Sequence, residues 1–396
     1  MLRSSGPWTT AARRILPAMR AWRKSFHEEP ELAYEERKTR DKLVRTLREL
    51  GLTPTVYDDF TGVLATIGAG RAGPVVALRA DMDALPVTEA SSLPFHSATP
   101  GRMHACGHDV HMSCLLGAAT LLVRAGDKVR GPVRLIFQPA EEEGETGGAG
   151  PFLTRGCLES PTVDFVVGQH VTPEVPAGMV GWRKGPTMAA ADRFRIVVRG
   201  HGGHAAYPHR GPDAILVAAE IVQSLQSVVS RGRDPVDPVV VSVGMIHGGT
   251  RPNILPETVE LEGTVRTLRA ETRDEVEQLI LRRVRHVAKS QGASTRVDYH
   301  RGYPVLTNSP PVTERLVGIL GEEFGDDRLV ELPAPSMGAE DFARYLERVP
   351  GTFLRLGAGV PGPPATLHSP TFAPPEETLV IGAAVLAAAT MGLQSR

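Results

Sequence analysis

Cysteine is scarce in this chain. Cys106, Cys114 and Cys157 are the three among 396 residues, too few for a disulfide framework, so a reducing compartment, the cytoplasm, is expected. Excess charge of either sign is also lacking. Lys and Arg number 44 against 45 Asp and Glu, and the net charge is −1, which leaves no basic surplus for nucleic acid and no acidic tail. No uninterrupted apolar run reaches the roughly 18 residues that a membrane-spanning helix needs, so no membrane partner is expected. Internal repeats and low-complexity tracts are missing too. Acid is absent from the first 26 residues, which hold Arg3, Arg13, Arg14, Arg20, Arg23 and Lys24. That bias is the mark of a transit segment, but the apolar stretch of a secretory signal is missing, and an amphipathic helix running on through Ile15–His27 is the preferred reading.

What is present is enough apolar residue, 41%, for a sizeable core, and a length that suits two domains. The segment from His27 to Leu50 reads as a charged surface helix, with Leu43, Leu47 and Leu50 recurring on one face and Gly51 and Pro54 ending it. Four strands follow at intervals: GPVVALRA ending at Asp81 and Asp83, Val133–Phe137 leading to Glu141, Glu142 and Glu143, VDFVVGQHV with His170 at its end, and GTFLRLGAG leading to a loop with His368. They alternate with helical segments, including AEDFARYLERV and a last apolar helix, which is the pattern of a parallel α/β sheet. The middle third differs. Its strands and two helices run β-α-β-β-α-β, a ferredoxin-like unit inserted into the sheet domain. The expected division is therefore residues 1–188 with 304–396 for a mixed, largely parallel α/β catalytic domain, and 189–303 for an inserted α+β domain.

Met103–His111, reading MHACGHDVH, is where the chemistry concentrates. A thiolate and an imidazole two residues apart around Gly107, at the mouth of a small-residue helix, suit a divalent metal. In parallel sheets ligands bind beyond the carboxyl ends of the strands, and Asp81, Asp83, Glu141, Glu142, His170 and His368 all fall there. Two metals about 3.5–4 Å apart can clamp a hydrolytic transition state. Cys106, His108, Glu142, His170 and His368 supply the ligands for such a pair. Glu141, next to a ligand but diverging from it, suits the general base. Asp83 either orients a ligand imidazole or caps a turn. His104, Asp109 and His111 are supporting or surface groups. In the insert, a Gly-rich loop holds His201, His204 and His209, of which one can steady an oxyanion, and Asn253 or Arg251 can bind a substrate carbonyl or carboxylate. A thiolate ligand favours Zn²⁺, while the carboxylates also permit Mn²⁺, Co²⁺ or Ni²⁺.

The motifs RADMDALPV, MHACGHDVH, FQPAEEEGETGGAG, GQHV, GHGGHAAYPH, GGTRPNILPE, MGAEDF and LHSPTF together resemble the amidohydrolase branch of the aminoacylase/glutamate-carboxypeptidase metallopeptidases, from about His27 to the final helix. Hippurate hydrolases, N-acyl-amino-acid amidohydrolases and indole-acetyl-amino-acid hydrolases belong to that branch. The resemblance implies a two-metal hydrolase with Cys106 in the bridging place and His108, Glu142, His170 and His368 as the other ligands. It implies Glu141 as the base, His204 and Asn253 on a lid, and a homodimer or higher homo-oligomer through that lid. The implied reaction splits an N-acyl amino acid into a carboxylic acid and a free amino acid. A dipeptidase, carboxypeptidase or carbamoyl-amide hydrolase on the same scaffold is the alternative, and a non-catalytic metal-stabilised binding protein a more distant one. The stretch EEPELAYEE departs slightly from the family's form and is expected to touch no ligand. Arg251 stands where the family varies.

Overall fold

The structure, a computed structural model, describes residues 6–144, 146–362 and 366–395; Arg3 of the basic N-terminal segment lies outside them. In chain order the elements used below are α1 (Pro7–Glu28), α2 (Arg37–Glu49), β1 (Val63–Ile67), β2 (Val76–Asp81), α3 (His108–Ala125), β3 (Val133–Gln138), β4 (Phe165–Pro176), β5 (Val180–Trp182), β6 (Ala190–Arg199), α4 (Ala214–Ser230), β7 (Val239–Gly248), β8 (Thr258–Thr267), α5 (Ala270–Ser290), β9 (Ser294–Arg301), α6 (Pro310–Phe324), β10 (Leu329–Glu331), β11 (Gly351–Gly359) and α7 (Glu377–Gln394). Two compact units are formed, one from Met1–Gly185, Thr307–Ala334 and Asp341–Arg396, the other from Pro186–Leu306 and Pro335–Glu340.

In the first unit the sheet order is β1-β3-β2-β4-β11-β5-β10. The central strands β3, β2, β4 and β11 are mutually parallel. β1 is antiparallel to β3, and β5 to β11, while β10 runs parallel to β5. The result is a mixed, mostly parallel sheet. β2 and β3 are buried along their whole length, as strands covered on both faces must be. α7 is 18 residues of nearly unbroken apolar character and satisfies a membrane span by length and composition. It is 83% buried, however, and serves as a core helix, packed with α1 and α3. Gly117 permits that packing, because a Cβ there would sit 2.5 Å from Met19 Sδ and 2.9 Å from Ala383 Cβ.

The segment after α1 corrects the sequence reading. Helix α2 starts only at Arg37, and residues 29–36 are an irregular strap. Pro30 opens it, and the Glu31 carboxylate accepts the N–H groups of Lys38 and Thr39, capping α2 from outside the helix. Leu43 and Leu47 are fully buried, so α2 is not merely a surface helix. The predicted helix around Phe342 is only Ala343–Leu346, because Asp341 turns inward to a buried arginine.

The second unit has its own core and a four-stranded antiparallel sheet in the order β9-β6-β8-β7, the ferredoxin-like arrangement. It also takes in Pro335–Glu340, which the sequence reading placed with the sheet domain. The cause is backbone pairing with a distant part of the chain: Ser336 N–H donates to the Thr187 carbonyl, and Ala189 N–H is shared between the Ser336 and Gly338 carbonyls.

Candidate metal centre

Gly107 has φ 84° and ends a tight turn from which α3 begins at His108. A Cβ on Gly107 would lie 2.5 Å from Val171 Cγ2, so only glycine passes β4 there. Cys106 and His108 thereby meet His170, and the ligand atoms of these three lie within 4.8 Å of one another. Cys106 Sγ is 3.3 Å from His170 Nε2. A second group with the same mutual spacing is Cys106, Glu142 and His368. The two groups share Cys106, and His108 also neighbours Glu141 and Glu142. All ten site residues expected from the sequence are thus placed: six converge around Cys106, Asp83 supports them, and His204, Asn253 and Arg251 are in the second unit.

His170 is not at a strand end, since β4 continues through Pro176. It lies mid-strand opposite Arg355 of β11. Its Nδ1–H donates to the Val171 carbonyl at 2.6 Å, leaving Nε2 turned toward Cys106. His108 Nδ1–H likewise donates to the Asp83 carbonyl at 2.8 Å. Both rings therefore show the arrangement of metal-binding histidines, one nitrogen fixed by a carbonyl and the other presented to the site. Among the described residues no hydrogen bond reaches His108 Nε2, which is fully buried. An orphaned imidazole nitrogen is costly in a protein interior, and a cation would satisfy it. His368 has φ 64°, is anchored by its N–H to the Ala105 carbonyl, and places Nε2 3.1 Å from Glu142 Oε1.

The electrostatics point the same way. Burial, together with the Glu142 and Glu141 charges, raises the Cys106 thiol well above its usual range. Burial opposes charging of His108, yet Asp81, Asp83 and Glu142 raise it to about 10. Burial and the neighbouring His111 lower His170 well below the ordinary imidazole value. Buried acidic groups thus crowd a thiol and an imidazole, a pocket short of positive charge.

The carboxylate of Asp83 takes both of the places the sequence allowed it, with Oδ1 3.3 Å from His108 Nδ1 and both oxygens on a turn. Its two oxygens accept the backbone N–H groups of Glu141 and Glu142, at 3.0 and 2.9 Å, so it caps the turn that carries both glutamates. Asp81, left open by the sequence, joins a buried array. Arg79 donates to Asp81, Gln138 and Asp341 at 2.6, 2.9 and 2.8 Å. His111 Nδ1–H donates to Asp81 at 2.6 Å, and its Nε2 accepts Val171 N–H at 2.9 Å. His104, Asp109 and His111 are all buried, so none is a surface group. Burial holds His104 down at about 4, neutral.

In the second unit Ile254 pairs with His204, and Ala205 N–H donates to the Asn253 carbonyl. His204 Nδ1 accepts Ala206 N–H at 3.1 Å, so the neutral ring carries its proton on Nε2. His204, Asn253 and Arg251 are exposed.

A parallel-sheet unit with convergent Cys, His and Glu side chains, joined to a ferredoxin-like insert, defines a metallopeptidase-type hydrolase. The chain belongs to peptidase family M20/M25/M40, whose family model matches residues 77–391. It is 41% identical over 365 residues to thermostable carboxypeptidase 2 of Saccharolobus solfataricus, covering 91% of each chain. Against N-acetyl-L-cysteine deacetylase of Bacillus subtilis it is 41% identical, covering 85% of this chain and 79% of the relative. The crystal structure of Bacillus subtilis YXEP protein, described as a dinuclear metal binding peptidase from the M20 family, superposes with a TM-score of 0.83 at 32% identity, covering 96% of this chain and 99% of that one.

Proposed function

We propose that this hydrolase is a two-metal amidohydrolase that cleaves N-acyl amino acids to a carboxylic acid and a free amino acid. The observation that carries the reading is the pair of ligand groups sharing Cys106, with Glu141 beside them. Cys106, His108, Glu142, His170 and His368 would hold the ions, with Cys106 common to both. When bound, divalent ions such as Zn²⁺, Mn²⁺, Co²⁺ or Ni²⁺ polarise the scissile carbonyl and acidify water.

The chain's own groups do the proton work. Glu141 takes a proton from the attacking water as its oxygen bonds to the acyl carbon. It then returns that proton to the departing nitrogen as the C–N bond breaks. His204 Nε2–H donates to the developing oxyanion, and Asn253 with Arg251 binds the substrate's carbonyl or carboxylate. The insert serves as a lid and joins two copies. Its edge strand β7 exposes Val240, Met245 and Ile246, the open apolar edge that a second chain would pair with.

The test is amino acid release from N-benzoyl-glycine, N-acetyl-methionine, an indole-acetyl conjugate and unblocked dipeptides, with chelator-stripped protein reloaded with each metal. Blocked substrates should be cleaved. Glu141→Gln should lower turnover about 10²–10⁴-fold while metal content stays unchanged. Full activity of that variant would remove Glu141 from its role. A carboxypeptidase or dipeptidase is the second reading, favoured by identities of 41% and 40% to the two Saccharolobus carboxypeptidases. Cleavage of unblocked peptides alone would select it.

A further inference from the structure

The EEPELAYEE strap, which carries no metal ligand, reaches the metal centre through one buried side chain. Glu36 is fully buried. Its Oε1 accepts Ala140 N–H at 2.9 Å, and its Oε2 accepts Thr61 Oγ1–H at 2.6 Å. Ala140 has φ 56° and ψ 41°, the left-handed region that is unfavourable for an L-residue. It is also completely buried and immediately precedes the Glu141–Glu142 pair. The next two amides, those of Glu141 and Glu142, go to Asp83. Three consecutive backbone N–H groups, in the left-handed then right-handed order that forms an anion-binding concavity, are thus filled by two carboxylates of the protein itself.

The strap is fixed at both ends. Leu32 bridges to Ala84, and Ala84 N–H donates to the Glu31 carbonyl, beside Asp83. Tyr34 O–H donates to the Gly147 carbonyl at 2.8 Å, beyond the glutamate turn. Because Glu31 caps α2, Glu36 is free to turn inward although it directly precedes that helix.

We propose that Glu36 is a positioning residue of the hydrolytic site: by holding Ala140 in its left-handed conformation it aims the side chains of Glu141 and Glu142. Burial, with the Asp83 charge beside it, raises the Glu36 carboxyl to about 7, against the hydrogen bonds from Thr61 and Ala140. A buried carboxylate next to another is unfavourable unless its acceptors are needed, and here they meet the backbone of the two residues on which the site depends.

The inference rests on the two-metal reading above, and the test separates the two. Co²⁺ titration, followed by its visible and sulfur-to-cobalt charge-transfer absorption, needs no substrate. Glu36→Ala should weaken Co²⁺ binding and lower kcat, each about 10–100-fold, with KM nearly unchanged. Glu36→Gln keeps an oxygen for Ala140 N–H and an amide for Thr61, and should recover most of both. The decisive arm is Ala140→Gly, since glycine adopts φ near 56° without strain. Combined with Glu36→Ala, it should restore much of the lost cobalt affinity and kcat, a non-additive cycle. If Glu36→Ala does not fold, Glu36→Asp, which keeps the charge but withdraws the oxygens, takes its place in the cycle. Additive losses, unchanged cobalt affinity, or Glu36→Gln as impaired as Glu36→Ala would each overturn the proposal. A protein that binds two Co²⁺ normally yet cleaves nothing in the panel would count against the substrate reading instead.

Discussion

At the scale of single residues the thiol of Cys106, as the proposed common ligand, would govern how the site fills. Burial and two glutamates keep it protonated in the metal-free chain, and Asp81 and Asp83 keep His108 charged. Both must lose a proton to bind a cation, so Zn²⁺ affinity should rise with pH, by about tenfold per unit for each proton released. Calorimetry in buffers of different ionisation enthalpy counts those protons. Cys106→Asp, with a carboxylate in place of the thiol, should release about one fewer; equal counts would mean that Cys106 stays a thiol. The residues that converge on Cys106 were legible in the sequence because Cys, His and paired Glu are chemically distinctive, although His170 lies within a strand and not after one. Glu36 was not legible. Its partner Ala140 is 104 positions away, and neither spacing nor periodicity signals a carboxylate aimed at a backbone amide. Pro30 was the available sign that the run EEPELAYEE is not helical.

Among the elements, α1 and α3 are joined by more than apolar packing. Asp109, in the first turn of α3, accepts from Arg23 and His27 of α1 at 3.1 and 3.0 Å, and His27 Nε2 faces Glu89 at 2.9 Å. With a carboxylate at each ring nitrogen, His27 must donate twice, which requires the imidazolium. Burial works against that charge, but Asp109 and Glu89 raise the ring above 6.5. A raised folded value means that the stabilisation is complete below pH 6.5 and is lost as pH rises through the higher folded value. The melting temperature should therefore fall across that window in the native protein and much less in His27→Asn, which should itself cost about 1.5–3 kcal/mol at the acid end. Parallel pH profiles would contradict the assignment. The four central strands were readable from β-branched runs bounded by Gly and Pro. The extent of β4 was not, because its last residues, TPEVP, have the composition of a loop and gain strand geometry only beside β11.

For the molecule as a whole, the β-α-β-β-α-β order of the insert was plain in the sequence, since each element carries its own periodicity. The 335–340 segment was not, because its membership rests on backbone pairing with residues far upstream. The proposed pairing of β7 edges predicts a dimer in sedimentation. Ile246→Lys, placing a charge on that edge, should shift it toward monomer without lowering the melting temperature of the insert. Equal masses for the two proteins would exclude that edge as the junction.

The burial of α7 between α1 and α3 also sets an order in time. The sheet unit cannot close its core until α7 has left the ribosome, because its first helix waits for its last. The apolar cluster of the insert is drawn from residues 194–299 and is complete well before, with only the 335–340 segment still to be added. Domains generally fold as units during synthesis, so the middle of this chain should acquire its structure ahead of the beginning. The strap, made early, must then stay exposed until the parts it organises are in place.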